Sequence, residues 1–282
     1  MDLKSPRGRY LLYLSGFGCL TLLTLLLRSL ALTLSFDVEI GYFSKGTALP
    51  IVVHVFEVIS LLVCFVPFFL FGKQAKLSVK HAPLNLAERI AAGLAALGLL
   101  GVVAYLILCL SGDATLIPAP KVLAILCALF SLIGVFFFLQ LIRDRKEPAA
   151  LFGSGVILAA VLLLSITYFD RYTQMNTPHK VSLHLCMLSI MLCMLFEIRT
   201  LIGQERPLGH AVASCLCIFC TATYGGSNLI AFLAGSYSDP LYLMGDLLSL
   251  GFAIYLICRT VCGLLRNKSE STPAPTETEE NQ

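Results

Sequence analysis

The sequence predicts an all-α fold: a polytopic transmembrane helical bundle of about eight spans, with both termini in the cytoplasm. Three observations predict it. Of the 282 residues, 57% are hydrophobic and only 13% charged, whereas soluble domains carry about 25% charge. Eight apolar runs are long enough to cross a hydrocarbon layer, which takes about 20 residues. The basic residues crowd the connections on one side of those runs, as in cytoplasmic loops.

The first run, Tyr10–Ser35, follows Lys4, Arg7 and Arg9. It is long and lacks a small-residue cleavage signal, so it reads as a retained span and not a signal peptide. The second, Pro50–Phe71, opens on a proline, which suits a first helical turn. Pro67 lies inside this run and should kink it. The basic stretch Gly72–Arg89 is expected to lie along the membrane surface. In the third run, Ile90–Leu110, Ala91, Ala95 and Gly98 recur at helical spacing. Small side chains let a neighbouring backbone approach, and they predict a central place for this span.

The fourth run, Val122–Ile142, and the fifth, Ala149–Phe169, follow Pro120 and Pro148. The sixth, Val181–Ile202, follows Pro178, the seventh, Ala211–Gly235, follows Pro207, and the eighth, Leu241–Leu265, follows Pro240. Residues 1–267 therefore read as one transmembrane domain. Residues 268–282, rich in Ser, Thr, Pro and Glu without apolar periodicity, read as a disordered cytoplasmic tail.

With the N-terminus inside, fifteen Lys and Arg residues fall on the inner side and four (Lys45, Lys121, Arg171 and Lys180) on the outer, while Arg28 lies within the first span. The net charge of +3 is thus a property of one face. It suits anionic lipid heads and not nucleic acid, for no basic run carries interleaved aromatics. The asymmetry, with no eukaryotic sorting signal visible, places the chain in the bacterial cytoplasmic (inner) membrane. All eleven cysteines lie within the spans or at their edges, so no disulfide framework is expected.

Ionisable residues at membrane depth are costly and gather around water or one another. Arg28 lies seven residues before Ser35, and Glu57 seven after Pro50. Both are therefore about 10 Å below the outer boundary, at one level if the two helices are antiparallel neighbours. His54 shares the face of Glu57. His184 and Asp246 enter the same layer from the sixth and eighth spans. In the seventh, Thr221, Thr223, Tyr224, Gly225, Gly226, Ser227 and Asn228 interrupt the apolar run, and an interrupted span points to a binding or transport site. The candidate ligand- or ion-binding residues are Arg28, His54, Glu57, His184, Tyr224, Ser227, Asn228 and Asp246. They are expected around a polar cavity in the outer half of the bundle. The inner half is expected to be almost wholly apolar until Glu197 and Arg199.

Met187, Met191 and Met194 lie on one face of the sixth span, with Cys186 and Cys193 nearby. Their spacing resembles the Met-x-x-x-Met element of copper-permeating channels, over five residues. Met and Cys also fill gaps in apolar cores, and the core role is the expected one, with no metal and no cofactor. Catalytic motifs are missing: Phe152-Gly153-Ser154-Gly155 lacks the first glycine of the element used by intramembrane serine proteases, and no zinc motif or phosphate loop occurs.

The function that fits best is binding or transport of a small solute or ion, with no enzymatic activity expected. Arg28 would attract an anionic group, and Glu57 and Asp246 would carry or balance a cation. The alternative is a non-transporting sensor or assembly partner that docks a cytoplasmic protein. A third is a membrane enzyme acting on lipid-linked substrates through His54 and Glu57.

Overall fold

A computed structural model describes residues 6–37, 40–44, 46–71, 83–111, 121–170, 173–174, 176–204, 206–236 and 239–269. The basic stretch 72–82 and the tail from residue 270 lie outside the described residues.

Among the described residues, eight helical segments are long and apolar enough to cross a membrane. Helix α1 (Pro6–Leu34) leads into a short hairpin, β1 (Phe36–Asp37) and β2 (Tyr42–Phe43). There follow α2 (Leu49–Val63), α3 (Val66–Phe71), α4 (Leu86–Ser111), α5 (Lys121–Ile142), α6 (Lys146–Tyr168) and α7 (Pro178–Leu201). The seventh span is composite: α8 (Pro207–Cys220), a π-helical turn (Thr221–Gly225) and α9 (Gly226–Leu233). Helix α10 (Pro240–Ser269) ends the bundle and runs into the stretch expected as tail. The protein is a multi-pass membrane protein built as an all-α bundle.

Several helices start about a turn earlier than their apolar runs, because their first turns are polar, and two of them, α4 and α7, carry a side-chain cap. Asn85 and Glu88 form a reciprocal box at the head of α4: Glu88 N–H donates to Asn85 Oδ1 (2.9 Å) and Asn85 N–H to Glu88 Oε2 (2.8 Å). Thr177 caps α7 by accepting from the Lys180 N–H, with Pro178 at the first position.

Pro67 breaks the second span between α2 and α3. It has no N–H to offer the carbonyl four residues back, that of Val63. The Tyr13 hydroxyl of α1 donates to that carbonyl instead, at 3.1 Å. Tyr13→Phe should therefore cost about 1 kcal/mol. It should cost less in a Pro67→Ala background, where the restored N–H serves Val63. A double-mutant cycle by denaturant titration reads the difference.

Helices α4, α5, α6 and α7 pack in sequence, and α10 closes against both α4 and α7. The composite seventh span sits against α1, α7 and α10, and α1 carries α2 at its flank. The seventh and eighth spans are the most buried (67% and 61% of their central stretches), against 39% for α4. The small residues of α4 thus mark a close crossing but not the centre. A Cβ on Gly98 would lie 3.0 Å from Leu248 Cα of α10, and one on Gly251 would lie 3.0 Å from the Leu94 carbonyl. On α1, Leu22, Leu26, Leu30 and Leu34 are exposed four residues apart while Thr21, Thr24, Arg28 and Ala31 are buried. That is a lipid-facing stripe backed by an inward polar one.

The hairpin pairs Phe36 with Phe43 and Asp37 with Tyr42. Two-residue strands are too short to show alternation, so the sequence reading held no strand. The bundle end that carries the hairpin is called the hairpin end below, and the opposite end, where α1 begins and α10 finishes, the terminal end.

Candidate functional site

Arg28 lies six residues before the end of α1 and is buried. Its Nη1–H donates to Glu57 Oε1 of α2 at 2.7 Å, its Nε–H to Ser227 Oγ of α9 at 3.1 Å, and its Nη2–H to the Pro178 carbonyl of α7 at 3.3 Å. The guanidinium carbon stands 4.7 Å from the centroid of the Tyr224 ring, within cation–π range. One side chain thereby ties four spans together. Glu57 Oε2 meets His54 Nδ1 at 2.9 Å, and His54 itself is exposed. The equal depths counted for Arg28 and Glu57 thus correspond to a direct ion pair.

Next to Ser227 in sequence, Asn228 organises the rest. Its Nδ2 donates to Asp246 Oδ1 of α10 (3.0 Å) and to Ser182 Oγ of α7 (3.3 Å), and its Oδ1 lies 3.2 Å from His179 Nδ1. Asp246 is buried, and its Oδ2 has no hydrogen-bond partner among the described residues. Such an atom is a costly rarity. Towards the hairpin end each half of the network meets an aromatic edge: Phe36 stands against the buried His179 (4.9 Å between centroids) and Phe43 against the exposed His54 (6.3 Å).

The local sequence of the seventh span builds this centre. Residues Thr221–Gly225 form a π-helical turn, a distortion frequent at functional sites. The glycine that ends the turn, Gly225, and the one that follows it, Gly226, are contact points. A Cβ on Gly225 would lie 3.0 Å from Ser249 Cβ and 3.1 Å from the Asp246 carbonyl, and one on Gly226 would lie 2.8 Å from Leu25 Cδ1. Gly225 admits α10, and with it Asp246, while Gly226 admits α1, and with it Arg28. Gly225→Ala should cost about 1–3 kcal/mol by overpacking. Gly93→Ala, where nothing stands within 4 Å, should leave the protein as stable or slightly more so. Thermal unfolding of the two variants checks the contrast.

Of the expected site residues, Arg28, His54, Glu57, Tyr224, Ser227, Asn228 and Asp246 meet in this network. His184 does not join it. Its Nε2 pairs with Thr167 Oγ1 of α6 at 3.0 Å. His179 takes the place expected of it. Five residues at 100° each put His184 about 140° around α7 from His179. The polar cavity expected here is closed: apart from His54, the meeting side chains are buried against one another. Met187 and Met194 are buried in the core, with Met191 packed against it. The Cys186 thiol donates to the Cys220 carbonyl at 3.3 Å. Among the described residues, no three His, Cys, Asp or Glu side chains gather so as to hold a metal ion.

At the terminal end, where the apolar stretch was expected to stop at Glu197, the buried Glu197 and His210 meet Arg259, taken up below. No protein-family model matches the chain, and no curated protein or solved structure is significantly similar to it.

Proposed function

We propose that the chain moves a small solute across the membrane together with, or in exchange for, a cation or proton held at Asp246. In this reading the terminal end faces the cytoplasm and the hairpin end the outside of a bacterial cytoplasmic membrane, following the basic-residue count.

One observation carries the reading. The buried guanidinium of Arg28 is paired with Glu57, while a second buried carboxyl in the same network, Asp246, keeps one oxygen without a hydrogen-bond partner among the described residues. An uncompensated charge at this depth costs several kcal/mol. The balance is therefore completed by something exchangeable, a proton or a bound cation. Arg28 supplies the complementary handle, since any group that draws Glu57 away leaves a guanidinium already held by Ser227, Pro178 and Tyr224 to receive an anion. The π-helical turn lies between the two, where a small change in α9 would move both Ser227 and Asn228.

The test is uptake by purified protein in liposomes. Radiolabelled amino acids, organic acids and sugars are offered under an imposed proton or sodium gradient. Accumulation of at least one solute, dependent on the gradient, is expected. A solute that stabilises the detergent-solubilised protein yet never accumulates would favour a sensor with a cytoplasmic partner.

A further inference from the structure

The terminal end holds a second buried group of charges. Glu197 of α7 is fully buried and faces the fork of Arg259 from α10: Nε lies 2.7 Å from Oε1, and Nη2–H donates to Oε2 at 3.0 Å. His210 of α8 places Nε2 at 3.5 Å from Glu197 Oε1 and Nδ1 at 3.5 Å from Ser214 Oγ. Glu88 of α4 and Tyr255 of α10 are within electrostatic reach of the same arginine. Asp246 and Arg259 stand on one helix, thirteen residues apart, about 20 Å along its axis.

A continuous line of small polar and thiol side chains joins the two groups. Helix α7 presents Cys186, Ser189 and Cys193 above Glu197 at three- and four-residue intervals, hence on one face. Helix α8 presents Ser214 and Cys217 above His210 in the same way. The faces meet. Cys186 lies beside Ser249, one turn from Asp246, and Cys217 lies beside both Ser189 and Cys193. Cys193 Sγ is 4.0 Å from Ser214 Oγ.

One fully buried hydroxyl on this seam, Tyr255 OH, has no hydrogen-bond partner among the described residues. The Tyr255 ring centroid stands 6.0 Å from the Arg259 guanidinium carbon, and its hydroxyl is within electrostatic reach of Glu197 and Cys193. Hydroxyls buried in this way suit a site that takes up water or an ion in passing.

We infer that the seam between α7, α8 and α10 is the path by which a monovalent cation, the proton included, passes between Asp246 and the terminal end, with the Glu197–Arg259 pair as its gate. The inference rests on the reading of Asp246 as the coupling site. Carboxyls stand at both ends of the seam, with hydroxyls and thiols between them. The guanidinium of Arg259 blocks the far end, so passage requires it to swing off Glu197, and His210 is placed to replace it there. Two buried groups at opposite ends, both closed, describe an occluded bundle with one lock at either side.

The native thiols Cys193 and Cys217 report on this gate. In sealed vesicles, a membrane-impermeant trimethylammonium methanethiosulfonate is applied to one face at a time, and modification of the two cysteines is followed by peptide mass. Wild type is expected to react slowly. Glu197→Gln and Arg259→Lys are each expected to react about tenfold faster, a shift towards the open gate. The gain should appear only with reagent on the terminal side, and the anionic sulfonatoethyl reagent of similar size should lag behind. Equal reaction from both faces, or no gain in a variant that keeps the wild-type unfolding midpoint, overturns the gate. If neither variant folds, wild-type thiols that react from the hairpin side and not at all from the terminal side overturn it as well. Unchanged thiol reactivity together with lost uptake in Asp246→Asn would remove the seam and leave the coupling site standing.

Discussion

Arg28→Met is expected to cost about 3–5 kcal/mol of stability, the penalty for leaving one partner of a buried ion pair alone. The loss is large because Arg28 makes hydrogen bonds to Glu57, Ser227 and Pro178 and stacks on Tyr224. Removing it strands the Glu57 carboxylate with His54 alone as partner. The double variant Arg28→Met/Glu57→Met should recover most of the loss, because two apolar side chains carry no desolvation penalty in this setting. Equilibrium unfolding of the three proteins in mixed micelles gives the comparison. If the double variant is no more stable than Arg28→Met, the pair is not coupled in the way the geometry indicates.

Asp246→Asn should act in the opposite manner, sparing the fold and removing the function. The amide keeps the oxygen that accepts from Asn228, so stability should change by no more than about 1 kcal/mol. It can no longer gain or lose a charge, however. Gradient-driven uptake is expected to fall about a hundredfold or more, since the coupling ion has nowhere to sit. His184→Asn serves as the control on the same membrane layer, because His184 faces Thr167 away from the network. Uptake should survive it. A variant that loses uptake through His184 but not through Asp246 would place the site between α6 and α7 instead.

Much of the architecture was legible because the bilayer imposes a coarse rule that hydropathy obeys. All eight spans lie where the apolar runs lie, and the proline at each of positions 50, 178, 207 and 240 stands at a helix start. The Arg28–Glu57 pair was legible from depth alone, since two antiparallel neighbours with equal offsets must bring the residues level. The broken seventh span was legible from its composition.

What sequence reasoning missed was angular. Beginning the sixth span at Val181 left His179 in a loop and made His184 the histidine of the layer. The Thr177 cap and Pro178 start the helix earlier, which puts His179 in its first turn on the side of Asn228. That Thr-Pro pair was the signal that would have found it. The pairing of Arg259 with Glu197 is angular too: both lie inside apolar runs, on different helices, and only packing brings them together. Hydropathy gives depth along a helix but not direction around it, and only packing fixes the second.

Charge movement on a solid-supported membrane tests most directly whether the buried network holds an exchangeable cation, and it needs no knowledge of the solute. Proteoliposomes receive a step in pH, and separately a step in sodium chloride at fixed ionic strength. The wild type should give a transient current to at least one of the two, His184→Asn should match it, and Asp246→Asn should give none. A silent wild type, or an Asp246→Asn current as large as the wild-type one, would contradict the assignment of an exchangeable charge to Asp246.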